Sequence, residues 1–382
     1  VRCFHFMYNF AYMKSPNFLK NYTIAELRDY VRGMGEQAFR ADQLFDAMYA
    51  QGIEHIHDIA TLPKALRETL EQETVMSAVR LQKIQESNDG TKKFLFELFD
   101  GRAIETVLIP SEMVTDDGSP KRMTLCVSTQ VGCPLNCQFC ATASLKLKRN
   151  LFVAEIVDQL LAAQRYTEKK ITNLVFMGMG EPMLNYDNVM AAVSIFTHGD
   201  TPLLGSKRIT LSTAGVVPGI VRMADEKSPI KLAISLHATT NGLRKEIMPI
   251  ARKYELTELG NAIEYYYRKT RRAVTYEYIL FEGINDSEAD AKRLARFTRR
   301  VPSKVNVIPF HDIEFTNPTG IAAELKPTSR EKFKGFISLL QSHDVTVMIR
   351  SSSGVDIDAA CGQLAFSNAS TETTTPLLSE VL

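Results

Sequence analysis

Along residues 20–75 the apolar positions recur at helical spacing. In "YTIAELRDYV" Leu27, Tyr30 and Val31 share one face, and Thr23 with Glu26 forms a capping box ahead of them, which predicts a helix start. "FRADQLFDAMYAQG" repeats apolar groups at Phe39, Ala41, Leu44, Phe45 and Met48 and stops at Gly52. Over residues 79–109 the period drops to two, as at Phe94, Phe96 and Leu98. Here "NDG" (Asn88–Gly90) and "DG" (Asp100–Gly101) punctuate the runs, which is hairpin chemistry.

From Arg122 onward strand and helix patterns alternate. Six β-branched, apolar runs read as strands: "RMTLCVS", "ITNLVFMG", "KRITLST", "IKLAISLH", "AVTYEYIL" and "KVNVIPF". Stretches such as "VAEIVDQLLAAQRY", "ELTELGNAIEYYYRKT" and "SEADAKRLARFTRRV" read as the helices between them. Six βα units predict an α/β fold with a parallel sheet under helices, and they fall short of the eight of a closed barrel. The expected architecture is a partial (βα)6 TIM-like barrel with a small N-terminal helical module and a β-hairpin extension. The expected segments are an extension over 1–19, the helical module with hairpins over 20–115, the barrel over 116–350, a cysteine loop over 351–366 and a disordered polar tail, "SNASTETTTPLLSEVL", over 367–382.

Composition refines this. The chain of 382 residues is 45% apolar and 23% charged, ordinary for a globular protein, and no apolar run approaches the ~20 residues of a membrane span. The aromatic start "VRCFHFMYNFAYMKSP" lacks a small-residue cleavage pattern, and Met7 and Met13 are candidate starts within it. The cytosol is the expected compartment. Six cysteines are too sparse for a disulfide scaffold, so clustered cysteine points to metal or catalysis. Three of them, Cys133, Cys137 and Cys140, fall in "GCPLNCQFCATASL", in the loop after the first barrel strand. That is the end of the strand at which parallel α/β folds place their active sites. A structural zinc site takes four protein ligands, and here a distant histidine, His237 or His311, has to complete one. Three thiolates on a four-iron cube leave one iron open for chemistry, whereas ordinary iron–sulfur electron carriers use four cysteines.

C-x3-C-x2-C in this position, with Phe139 before the last cysteine, resembles the radical S-adenosylmethionine superfamily. The resemblance implies a [4Fe-4S] cluster on Cys133, Cys137 and Cys140, with S-adenosylmethionine bound at its open iron. It also implies cofactor contacts from "GMGEP" (Gly180, Glu181), "LSTAG" (Ser212) and "SLHA" (Ser235, Leu236, His237). Taken alone these are strand-end polar groups and a tight turn. Two further cysteines, Cys126 in "TLCVSTQVGC" and Cys361 in "VDIDAACGQLA", narrow the likeness to the RlmN/Cfr family over about Tyr22 to Ala365. That family methylates adenine at C2 or, in the Cfr branch, at C8. The resemblance implies that Cys361 carries a methyl group, that Cys126 resolves the RNA adduct through a transient disulfide, and that Glu105 is the base. Otherwise, the base-rate reading of lone cysteines is buried packing, and Glu105 is a hairpin carboxylate facing solvent. His311 in "IPFHD" stands where the family often has Asn, and an imidazole also donates and accepts hydrogen bonds.

The implied substrates are 23S ribosomal RNA at the peptidyl-transferase centre and the adenine next to the anticodon in transfer RNA. An external flavodoxin-type electron donor and a monomeric state complete the expectation. Formal net charge is only +1, but "LKLKRN", "YYYRKTRR" and "AKRLARFTRR" are locally basic and suit phosphate contacts if they lie together around the barrel. A C8 methylase and a non-catalytic zinc or cluster module remain the alternatives.

Overall fold

The structure, a computed structural model, describes residues 15–116, 118, 120–200, 202–350 and 353–365. The expected polar tail lies outside the described residues, as does most of the extension over 1–19. Helix α1 (Ile24–Gly33) opens on the expected capping box: the Thr23 amide donates to the Glu26 carboxylate at 2.8 Å, and Leu27 and Val31 are fully buried. Helices α2 (Phe39–Tyr49) and α3 (Lys64–Glu73) follow, α2 burying Ala41, Leu44, Ala47 and Met48 and α3 burying Leu66 and Leu70. Then come β1 (Val79–Glu86), β2 (Lys92–Leu98) and β3 (Ala103–Pro110), joined as antiparallel hairpins at the two predicted turns.

The barrel begins with β4 (Met123–Cys126) and a short hairpin of β5 (Gln130–Val131) and β6 (Arg149–Asn150). It continues through α4 (Val153–Arg165), β7 (Asn173–Phe176), α5 (Tyr186–Phe196), β8 (Ile209–Thr213), α6 (Val217–Asp225) and β9 (Lys231–Ser235). After α7 (Asn241–Ile247) and α8 (Leu256–Thr270) come β10 (Val274–Leu280), α9 (Glu288–Thr298) and β11 (Ser303–Pro309). The chain closes with α10 (Ile321–Glu324), α11 (Arg330–Ser342) and β12 (Val347–Ile349).

One ten-stranded sheet runs β1-β2-β3-β4-β7-β8-β9-β10-β11-β12. It is antiparallel up to β4 and parallel beyond it. The hairpins therefore extend the barrel wall itself. All six predicted strands are present, and β12 adds a seventh parallel strand. Its "VMI" run is short, and Met348 and Ile349 are 49% and 62% exposed at the sheet edge, so no alternation marks it in the sequence. Among the described residues no pairing joins β1 to β12, and the barrel is open.

The N-terminal module is fastened to α4 by a buried ion pair. Lys20 Nζ donates to Asp158 Oδ1 at 2.5 Å, and Asp158 Oδ2 accepts from the Ala78 amide at 2.6 Å. Removing one member of a buried pair strands the other charge. Asp158→Ala is expected to destabilise the protein by about 3–5 kcal/mol, read as a fall in the denaturant midpoint, whereas the double variant Lys20→Met/Asp158→Ala regains part of the loss.

Candidate active site

The upper mouth of the barrel, at the strands' C-terminal ends, collects the polar strand ends. Cys133, Cys137 and Cys140 lie in the loop between β5 and β6, and all three thiols face the cavity there. Burial pushes Cys133 up to about 12 and Cys137 well above the usual thiol range, and the neighbouring cysteines push further. Three thiolates in this low-dielectric loop are stable only with positive charge among them. The donor set therefore fits a cationic iron–sulfur cluster. Among the described residues no three His, Cys, Asp or Glu side chains converge as ligands of a single ion. Cluster ligands bind different metal atoms and have no need to meet at one point.

The "GMGEP" turn forms the neighbouring wall. A Cβ on Gly178 would stand 2.7 Å from the Val127 carbonyl, and Gly180, at φ +99°, leaves only 2.5 Å to Gln130 Cβ. No side chain fits at either position. Glu181 is buried there, with Oε2 accepting from the Ala214 amide at 2.8 Å and Oε1 from the Met183 amide at 3.0 Å. Burial raises its carboxyl to about 7 against these hydrogen bonds. Ser212 and Ser235 face each other at 3.5 Å across adjacent strands. His237, at φ +52°, accepts from the Ile279 amide through Nδ1 at 3.1 Å. Burial lowers its pKa to about 3, so the ring is neutral with its proton on Nε2. Its ring stands edge-on to Phe139 at 4.7 Å.

Gly180, Glu181, Ser212, Ser235, His237, the three loop cysteines and Cys361 all line this one cavity. Four other expected residues, Glu105, Cys126, Leu236 and His311, are not among its lining. Leu236 is wholly buried with its amide on the Glu277 carbonyl, and His311, half-buried beside Asp312, lies outside the lining.

Cys361 reaches the cavity on a strap formed by residues 353–365. Its far end is bound to the cluster loop: the Ala141 amide donates to the Gly362 carbonyl at 2.6 Å, and Thr142 Oγ1 to the Leu364 carbonyl at 2.6 Å. Gly362, at φ +87°, leaves only 3.0 Å for a Cβ against the Phe139 carbonyl. The near end is bound to the β1–β2 turn, where Asp356 accepts from Ser87 and Asn88, and Asp89 accepts from the Gly354 amide at 2.9 Å. Cys126, at the end of β4, is buried and close enough to Cys361 for that thiol to disfavour its ionisation. It is pushed up to about 12, first by burial and then by Cys361, with Arg350 opposing. Arg350 acts on both thiols and is itself held charged by Cys361 and Glu277.

Glu105 shares the inner sheet face with Cys126, since Val107 pairs with Cys126 and Glu105 lies two residues away on the same strand. It is 3% exposed, so it is no solvent-facing hairpin carboxylate. Oε1 stands 3.3 Å from Lys93 Nζ, while buried Oε2 has no hydrogen-bond partner. Burial raises its pKa, and Lys93 opposes the rise. Lys93, 1% exposed, also donates to the Asp358 carbonyl of the strap at 3.2 Å. Sequence reasoning missed Lys93, Arg350, Glu277 and Arg244. A charge inside the apolar run "TYEYIL" marks Glu277. Arg244, buried on the carbonyls of Ala214 and Leu236, has no such signal.

Residues 127–295 match the family model of the radical SAM superfamily, and residues 17–76 match that of the ribosomal RNA large subunit methyltransferase N-terminal domain. A protein of Geotalea uraniireducens named dual-specificity RNA methyltransferase RlmN is 44% identical over 349 residues, covering 91% of this chain and 96% of the relative. One of Syntrophobacter fumaroxidans with the same name is 43% identical over 351 residues, covering 91% and 98%. The crystal structure of a radical SAM methyltransferase from Sphaerobacter thermophilus superimposes with a TM-score of 0.82 at 40% identity, covering 91% of this chain and 99% of that one.

If the three loop cysteines hold the cluster, replacing any one of Cys133, Cys137 or Cys140 by Ala abolishes stable iron retention after anaerobic reconstitution. Iron and sulfide analysis reads this, and a full complement in any single variant refutes the ligand set.

Proposed function

Because the chain belongs to the RlmN family of radical S-adenosylmethionine RNA methyltransferases, we propose that it methylates C2 of adenine in 23S ribosomal RNA and in transfer RNA. One observation supports the residue roles above the others: the strap holds Cys361 in the cavity, against the cluster loop and within electrostatic reach of Cys126. When bound on Cys133, Cys137 and Cys140, the [4Fe-4S] cluster and S-adenosylmethionine supply both a transferable methyl group and a 5′-deoxyadenosyl radical.

The chain's own residues do the rest. C2 of adenine is not a nucleophile, so the methyl group is first lodged on Cys361 as a thioether and reaches the base as a carbon attached to that sulfur. Release needs two groups. Glu105 takes the C2 proton, its free Oε2 being the acceptor. Cys126 attacks the Cys361 sulfur, which leaves a disulfide that cellular thiols reduce. Arg350 steadies the thiolate character of both cysteines in turn. Glu181, Ser212, Ser235 and His237 orient the cofactor's polar groups, and the apolar walls at Phe139, Met248 and Ile279 exclude water. His311 and Leu236 act behind them. The helical module and hairpins over 20–115 serve as an accessory RNA surface beside the barrel over 116–350. The target adenine leaves its stack to enter. A flavodoxin-type donor supplies electrons in the cytoplasm, and the protein works as a monomer.

Two expectations test this. Cys126→Ala purified from cells containing substrate RNA carries a nucleotide adduct on Cys361 after nuclease treatment, read by mass spectrometry, while Cys361→Ala carries none. An adduct on the second variant, or none on the first, overturns the roles. Mapping of the methylated base separates C2 from C8.

The raised pKa of Glu105 gives a pH signature. The base works ionised, so adduct resolution falls as pH drops, and the fall begins above the ordinary carboxylate range. Glu105→Gln slows resolution about 10²-fold or more and removes that acid limb. Pre-formed adduct followed by quench and mass analysis across pH is the measurement.

A further inference from the structure

The lower mouth of the barrel, at the strands' N-terminal ends, carries a group of cations that the catalytic reading leaves unused. Successive residues of a strand alternate between its two faces. Ser235 and Ile308 line the upper cavity, so Lys231 and Lys304, each four residues earlier on β9 and β11, belong to the same inner side, and Arg208 stands in the turn that leads directly into β8. Arg122 stands four residues before Cys126 on the β4 side. All four are exposed, and none forms an ion pair with a described residue.

Three of them act on the fourth. The Lys231 ammonium is depressed by burial first, then by Lys304, Arg208 and Arg122. Lys170 and Lys207, also exposed, flank them at the starts of β7 and β8. Lys304 also acts on the buried carboxylate Glu277, after Arg350. Between cations and cavity the wall is polar, with Thr124, Asn173, Thr210 and Thr275 half-buried. From β4 to β11 the sheet takes five steps of about 4.8 Å, so the charges spread over roughly 24 Å of rim.

In a chain of net charge +1, such a gathering brings repulsion and no pairing, so it does not serve stability. A rim of spaced basic side chains around a polar floor is the footprint of a polyanion. Basic residues late in "YYYRKTRR" and "AKRLARFTRR" are by contrast largely engaged internally. Arg272 donates to the Pro229 carbonyl, Arg271 lies over Tyr267, and Arg300 pairs with Glu264 at 2.8 Å. Those runs end at the lower end of the barrel, whereas "LKLKRN" lies at the upper mouth, so the three do not form one surface.

We propose that the lower mouth of the barrel is a second contact site for the phosphate groups of the RNA backbone, built on Arg122, Arg208, Lys231 and Lys304. The inference rests on the RNA methyltransferase reading and extends it from the reacting base to the RNA around it. A seven-residue strand is about 23 Å long, so a folded RNA whose adenine enters the upper mouth can meet the lower one.

The test compares the full-length parent with R122Q/R208Q/K231Q/K304Q and with R208Q/K231Q. Fluorescence anisotropy follows a transfer RNA transcript between 50 and 300 mM KCl. Each cation that neutralises a phosphate steepens the slope of log affinity against log salt by roughly 0.7. Neutralising all four cations therefore makes that slope shallower by about 3, and the double variant makes it shallower by about 1.5. Affinity at 100 mM KCl falls about tenfold or more, while S-adenosylmethionine cleavage by the reconstituted enzyme is unchanged. Melting temperatures hold or rise, because repulsion has been removed. If the quadruple variant does not fold, the double variant decides. Slopes and affinities equal to the parent's overturn the site. Tripolyphosphate binding that disappears in the variants while the RNA slope is unchanged assigns the site to free phosphates and overturns the RNA contact. A parent that binds no RNA at any salt instead sinks the RNA methyltransferase reading.

Discussion

The hydrogen bond from the Ala141 amide to the Gly362 carbonyl joins two segments more than two hundred residues apart in sequence. The upper cavity exists as a chemical site because they are joined. The loop that gathers three thiols supplies one wall, and the strap that brings a fourth lies on it. Thr142 and the close approach of Gly362 to Phe139 fix the same contact from either side. At the other end the β1–β2 turn holds Gly354 and Asp356. The hairpin extension thus acts as the abutment that sets where Cys361 stands.

Burial then decides the state of each group in the lumen. A neutral His237 offers one defined donor because its other nitrogen is occupied by a backbone amide. Glu105 and Glu277 are carboxylates that burial pulls toward neutrality and that Lys93 and Arg350 pull back. Each such balance is sensitive to a single substitution, since a low dielectric magnifies both the penalty and its compensation. Poised acids, bases and thiols follow from that sensitivity.

The parallel strands were legible because burial on both faces writes continuous apolar runs, and the hairpins because Asn88–Gly90 and Asp100–Gly101 are turn chemistry. The motif cysteines were legible from their spacing. β12 was not, since an exposed edge of three residues carries no periodicity. Lys93 and Arg244 were not, since buried cations in a sequence look like surface ones. Their role comes from partners distant in the chain, at Asp358 and Ala214. His311 shows the opposite case, a residue that motif position places at the cofactor and that the fold sets outside the cavity lining.

The open barrel has an implication for how the protein is made. Its two edge strands, β1 and β12, do not pair among the described residues, and the strap that follows β12 reaches the β1–β2 turn and spans that gap. A ribosome releases residues 353–365 after every strand of the sheet. The growing chain can therefore shape the barrel and gather its loop thiols while the cavity still lacks its last wall. Chain order thus sets the order of assembly: a protein that stops short of residue 353 lacks both Cys361 and the wall that carries it, and its cavity stays open.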